Sequence, residues 1–295
     1  MIMDEQDTSA LYILGAGTPT PAPDRFGTSY VLQIRNEHIM IDCGPATTYK
    51  LVKTGLFPTM IDFLFFTHHH FDHNADYPCF LLCRWDQSTG REKILQVFGP
   101  KPTSEITERL IGKAGAFTRD WKARVNAPVS QHVHQNRGGS LPRPQPEVEV
   151  KEIKENETIK PAAWQVETRK VHHVEPWLLS LAYRISWNGG SIVFAGDTGL
   201  SKAVIGLAGD ADVLVSNCWD HQETMNANGE APGQTGTLDA AQMALEAGVK
   251  TLLLTHTGPQ LCKPGSREKA VADISTVFGG QIIFADELSK LELWR

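Results

Sequence analysis

Apolar and polar positions follow two rhythms along this chain of 295 residues. Short apolar runs, bounded by Gly, Pro or charged residues, predict strands at 11–14, 30–34, 38–41, 62–66, 94–98, 165–171, 181–185, 192–194, 213–215, 252–254 and 281–284. Between them, apolar residues at helical spacing predict helices over 47–54, 78–86, 104–111, 200–207, 238–247 and 267–277. Gly248 stands just past one of these helices, where a C-terminal glycine cap belongs. The alternation gives an α/β chain. Residues 100–147 break the rhythm with a helical piece, an aromatic-basic stretch around Phe117, Trp121 and Arg124, paired glycines and several prolines. They read as a long insertion in a single domain spanning 1–295. Such an insertion serves as a lid over a site or as a dimer contact, and an aromatic helical face within it has to be buried against something.

Composition narrows the classes. With 41% hydrophobic and 21% charged residues the chain can build an ordinary core. A net charge of −6 lacks the basic footprint of a nucleic-acid binder, so no nucleic-acid partner is expected. No apolar run reaches the ~18 residues that span a bilayer, and the acidic start does not read as a signal peptide, so neither a membrane nor export is expected. Five cysteines are too few and too uneven for a disulfide framework. Cys79 and Cys83 share a helix face and are expected as reduced core thiols of a cytoplasmic protein.

Chemistry enters at the segment Phe-Leu-Phe-Phe-Thr-His-His-His-Phe-Asp-His, residues 63–73. An apolar strand runs straight into His68, His70, Asp72 and His73, four metal-ligand types within six residues. Imidazole suits zinc, iron or nickel, and the carboxylate adds a harder donor. Three more strand ends carry matching residues: His172-His173, Asp197 and His256. In layered α/β folds functional groups gather beyond the carboxyl ends of strands, so these can converge on the cluster. Seven ligands suffice for two metals sharing a carboxylate.

These residues resemble the metallo-β-lactamase superfamily, in its ribonuclease Z-like branch. The resemblance covers nearly the whole chain: the start Gly15-Ala-Gly-Thr-Pro-Thr-Pro, Asp42-Cys43-Gly44, the His68–His73 motif, the histidine before Leu181-Ala-Tyr-Arg-Ile, Gly196-Asp197-Thr198 and Leu254-Thr255-His256. It implies a four-layer αββα sandwich with two divalent metals, usually zinc, with manganese or iron as alternatives. It also implies that His68, His70 and the third-motif histidine hold one metal, that Asp72, His73 and His256 hold the other, and that Asp197 bridges them. The third-motif histidine is His172 or His173, and the spacing to Ala182-Tyr183-Arg184 fits His173 better. His69 and Asp42 are expected behind the ligands, Asp42 as the acceptor that orients an imidazole. Gly15 and Gly17 are expected to let backbone approach the metal rim.

Two metals in such a site lower the pKa of a shared water and hold hydroxide as the nucleophile. Asp72 can orient that hydroxide or shuttle its proton, and His221, in Trp219-Asp220-His221, is a candidate general acid or substrate contact. The chain departs from the tRNA-processing members. Their Glu–His pair falls here on Asn217 and near Gln234, and the 24 residues from His173 to Asp197 leave no room for a tRNA-gripping arm. The expectation is therefore a metallo-hydrolase of a small-molecule ester, lactone or cyclic amide. A phosphodiesterase of small or cyclic nucleotides comes second, since no dedicated Arg or Lys phosphate clamp is visible. A ribonuclease Z-type tRNA 3′ endonuclease and a non-hydrolytic metal-binding protein follow.

Overall fold

Two sheets built on one plan organise the chain. The computed structural model describes residues 9–90 and 92–294. The first half forms β1 (Ser9–Ala16), β2 (Thr28–Ile34), β3 (Glu37–Ile41), β4 (Phe63–Phe65), β5 (Leu95–Gly99) and β6 (Val148–Glu152). The second forms β7 (Thr158–Ile159), β8 (Trp164–Val171), β9 (Ser180–Trp187), β10 (Gly190–Phe194), β11 (Val213–Asn217), β12 (Thr251–Thr255) and β13 (Gln281–Phe284). The last strand, β14 (Ser289–Trp294), returns to the first sheet, whose order is β14-β1-β2-β3-β4-β5-β6. The second sheet has the order β13-β12-β11-β10-β9-β8-β7. In each sheet antiparallel neighbours give way to parallel ones, from β3 to β6 in the first and from β10 to β13 in the second.

Parallel steps need crossover connections, and helices supply them. In the first half these are α1 (Thr47–Lys53), α2 (Phe71–Asn74) and α3 (Tyr77–Gln87), then α4 (Thr103–Ile111), α5 (Thr118–Asn126) and α6 (Pro128–Asn136) of the insertion. In the second they are α7 (Lys202–Leu207), α8 (Gln222–Asn228), α9 (Thr237–Ala247) and α10 (Ser266–Ser275). Successive strand residues point to opposite faces, so each sheet is apolar on both. Leu11, Leu32 and Phe65 meet Val166, Tyr183 and Val215 between the sheets. Val31, Met40 and Leu64 face outward onto Leu51 of α1 and Phe80 of α3. Val193, Leu214 and Leu252 face outward onto Val204 of α7, Ala244 of α9 and Ile274 of α10. Three apolar layers between four structural layers make the expected αββα sandwich.

Local chemistry explains several boundaries. Gly248 ends α9 in the left-handed region at φ 66°, as its position predicts. A side chain on Gly17 would meet the Phe26 backbone nitrogen at 2.7 Å, so this glycine closes its own hairpin. Gly44 and Gly27 both admit the ligand loop, since a Cβ on either would crowd the Asp72 carbonyl oxygen. Cys79 is exposed and Cys83 half-buried, with their Sγ atoms 4.0 Å apart, which corrects the expectation of two core thiols. Helix α3 turns Phe80, Leu81 and Arg84 inward instead. In the insertion Trp121 is buried beside Thr107 and Ile111 of α4 and Val148 and Val150 of the β6 region. Arg124, Arg137 and Arg143 all pair with Asp86 at the end of α3. No candidate metal ligand lies among these contacts, so they give the lid expected there no support. Among the described residues no helix is long and apolar enough to cross a membrane.

Candidate metal centre

The ligand loop leaves β4 through Phe66 and Thr67, beside the end of β3. Asp42 there adopts a left-handed backbone, φ 57°, which turns its side chain under the loop. Its Oδ1 accepts the Thr67 backbone N–H at 2.7 Å, and its Oδ2 accepts the Thr67 hydroxyl and His73 Nδ1, both at 2.8 Å. With its proton given to Asp42, the Thr67 hydroxyl can only accept from His68 Nδ1, at 3.1 Å. Both imidazoles thus bind backward through Nδ1 and aim Nε2 forward. His173 does the same from the second half, its Nδ1 donating to the Gly233 carbonyl at 2.8 Å. The sequence reading missed Thr67 and Gly233. The first was visible as the residue before the motif. The second acts through backbone and leaves no side-chain signal.

The forward-facing atoms converge. His68 Nε2 and His173 Nε2 lie 3.0 and 3.1 Å from His70 Nδ1. Asp72 Oδ2 lies 3.1 Å from His256 Nε2 and 3.6 Å from His73 Nε2. Asp197 Oδ2 reaches both sets, 3.8 Å from His173 and 3.2 Å from His256. The candidate ligands fall into three overlapping groups: His68, His70 and His173; His68, His73 and Asp197; Asp72, His73 and His256. His173 is turned inward, whereas His172 is 85% exposed and pairs with Glu175.

This donor set fits metal ions on its own chemistry. His68 and His173 each present a lone pair to a single His70 nitrogen, which holds at most one proton. One close nitrogen pair is therefore without a hydrogen bond. His73 Nε2 and Asp72 Oδ1 are buried with no hydrogen-bond partner. A cation among these atoms removes both defects. Burial keeps His68 neutral, its pKa well below the usual value, and lowers His70 too. Burial opposes charge on Asp197 as well, but His256 and His73 outweigh it and hold the carboxyl far below its usual range. His73 is the converse case. Burial disfavours its proton, yet Asp197 and Asp42 together raise its pKa well above the usual value. That proton is the one a metal displaces.

Comparisons with known proteins agree with this site. The family model described as the metallo-beta-lactamase superfamily matches residues 22–81, and that described as the beta-lactamase superfamily domain matches residues 116–257. The chain belongs to the metallo-β-lactamase superfamily. Relatives named ribonuclease Z include one from Mycobacterium marinum, 26% identical over 95% of this chain and 97% of its own. Another, from Mycobacterium sp. strain KMS, is 28% identical over 95% of both chains. Among solved structures, the metallo-beta-lactamase fold protein YhfI from Bacillus subtilis superposes with TM-score 0.73 at 20% identity, over 97% of this chain and 100% of that one. The short form of human tRNase Z gives 0.67 at 18% identity, over 96% and 99%. The protein is accordingly an enzyme, a hydrolase of this superfamily.

Two candidate positions look different in place. His221, the candidate general acid or substrate contact, stands at the N-cap of α8. Its Nε2 lies 3.0 Å from Ser266 Oγ and its Nδ1 3.8 Å from Asp273. Its polar partners belong to α10 rather than to the ligand cluster, and it lines the adjoining cavity of about 670 Å³. Trp219 in the same wall tilts over His256, ring centres 5.9 Å apart. Asn217 and Gln234, where this branch of the superfamily carries its Glu–His pair, do touch. Asn217 Nδ2 donates to Gln234 Oε1 at 2.9 Å. The pair survives as two neutral amides, neither of which can deliver a proton.

Proposed function

We propose that this enzyme is a two-metal phosphodiesterase of the ribonuclease Z type, acting on a short or single-stranded phosphodiester rather than on folded tRNA. The observation that carries the reaction class is the match to relatives named ribonuclease Z across 95% of the chain. It moves preference from the carboxylic esters, lactones and cyclic amides that the sequence alone placed first. Two features support the restriction on substrate. β9 and β10 follow the His173 loop directly, with no inserted arm, and the amide pair Asn217–Gln234 replaces an acid–base pair.

His68, His70 and His173 would hold one metal, Asp72, His73 and His256 the other, and Asp197 both. Imidazole with carboxylate suits zinc, with manganese or iron as alternatives. When bound, two such ions lower the pKa of a water they share and polarise a phosphoryl oxygen. The protein supplies orientation. Asp72 Oδ2 lies beside His256 Nε2, at 3.1 Å, where both would face the metal, and Oδ1 is left free to accept from a water in the site. Burial raises the Asp72 pKa, but the His256 hydrogen bond and the nearby imidazoles leave it below the usual carboxyl range. Such a weak base orients water rather than storing its proton.

The test is turnover of the zinc- or manganese-reconstituted protein on bis(p-nitrophenyl) phosphate, a single-stranded oligoribonucleotide, a pre-tRNA with a 3′ trailer, and a panel of lactones and p-nitrophenyl esters. The two flexible phosphodiesters should be cleaved, and His70→Ala should abolish this. Lactone or ester turnover above phosphodiester turnover would overturn the reaction class. Cleavage of pre-tRNA beside its discriminator base would overturn the substrate restriction.

A further inference from the structure

The seven candidate ligands are not equally sheltered. His68, Asp72, His73, Asp197 and His256 are buried and the His173 side chain is only 5% exposed, while His70 is partly open to water. Substrate therefore meets the centre on the His70 side. Three of the segments that carry ligands each expose a large apolar side chain close in sequence to a ligand. Phe71, between His70 and Asp72, is 54% exposed. Trp177, four residues past His173, is 85% exposed. Leu200, three past Asp197, is 53% exposed. Single exposed apolar residues need no explanation, but a set on the segments that carry the ligands does.

The loops form one framework. His70 Nδ1 touches His173 Nε2, and the Gly199 N–H donates to the His172 carbonyl at 3.3 Å. The Trp177 loop is itself held in shape. Glu175 accepts the His173 backbone N–H at 3.1 Å, and the Trp177 N–H closes a turn onto the Val174 carbonyl. Trp177 is thus carried on an anchored turn that begins at a metal ligand, with its ring left to solvent. Aromatic faces on a fixed frame stack planar rings with little loss of entropy, each stacked base being worth about 1–3 kcal/mol.

Resting on the phosphodiesterase reading, we propose that Phe71, Trp177 and Leu200 form an apolar collar that binds a planar ring, a nucleobase or an aryl group, esterified to the scissile phosphate, with Trp177 as the principal stacking face. Recognition is then by ring stacking at the entrance, which suits an unpaired strand end or a small nucleotide diester and excludes bases already paired in a duplex.

The experiment compares wild type, Trp177→Ala and Trp177→Phe on two diesters with the same leaving group, thymidine 5′-(p-nitrophenyl phosphate) and methyl p-nitrophenyl phosphate. Metal content is measured alongside. Trp177→Ala should raise KM for the thymidine ester about tenfold, leave kcat and metal content near wild type, and be largely rescued by Trp177→Phe. A rise confined to the thymidine ester identifies a nucleobase, and an equal rise on both identifies an aryl ring. Unchanged KM on both overturns the collar. If wild type cleaves neither ester, the phosphodiesterase reading has failed and the collar is judged by calorimetry alone. Thymidine 5′-monophosphate should then bind wild type about tenfold more tightly than ribose 5-phosphate, and Trp177→Ala should erase the difference. Equal binding of the two by wild type would overturn it.

Discussion

The two halves of the molecule share a strand plan but contribute to the candidate metal centre in opposite ways. The first half supplies His68, His70, Asp72 and His73 from one loop after β4. The second supplies His173, Asp197 and His256 from the ends of β8, β10 and β12, which meet only after the sheet has formed. One half is a local motif with its own scaffold, Asp42 and Thr67 beneath it. The other is assembled by topology and steadied by backbone, as at Gly233. Local placement makes the first half tolerant of distant change. The assembled half concentrates its risk in single side chains.

The largest effect should come where the halves join. Asp197→Ala removes the carboxylate that reaches both sets, so metal content should fall to one ion or fewer per chain and phosphodiester turnover should be lost. Retention of two ions would show that Asp197 is not the bridge. Next, His173→Ala should lose one metal, whereas His172→Ala should leave metal content unchanged and stability within about 0.5 kcal/mol of wild type. Similar losses in both would return the choice between them to the open state the sequence left. In the first half, Asp42→Ala frees His73 to rotate and should weaken metal binding about 10–100-fold, read by chelator competition.

His69 should affect stability rather than metal content. It bonds Pro100 and Thr103 through Nε2 and accepts from Asn74 at Nδ1, tying the ligand loop to the start of the insertion. Burial pushes its pKa down to about 4. The unfolded chain takes up this proton near pH 6.5, while the folded one resists until about 4. Stability should therefore fall as pH drops through that window, by up to about 3 kcal/mol from this residue. Urea midpoints at pH 7, 5 and 4 should fall less steeply in His69→Gln. Parallel curves would remove His69 from the account.

What the sequence disclosed follows the same division. The core strands and the helices over α1, α3, α4, α7, α9 and α10 were legible because both faces of each sheet are apolar and each helix carries an apolar stripe. β6 and β14 were not, because charged residues alternate with apolar ones along Val-Glu-Val-Lys-Glu and Ser-Lys-Leu-Glu-Leu at the sheet edges. The single turn α2 is too short to show a period. The His68–His73 cluster stood out because its residues are neighbours in sequence. The three separate ligands needed the fold, and the choice between His172 and His173 needed side-chain directions. His221 could be placed only by the fold, because a histidine near a strand end carries no mark of which way its ring points.

The central claim is that these seven side chains hold two metal ions. The measurement that tests it most directly is the metal content of the full chain after reconstitution with zinc and removal of loosely bound ions by desalting, read by elemental analysis together with turnover on bis(p-nitrophenyl) phosphate. The account predicts about two ions per chain, with activity that appears only as the second site fills. A plateau at one ion or fewer, or full activity at one, would contradict it.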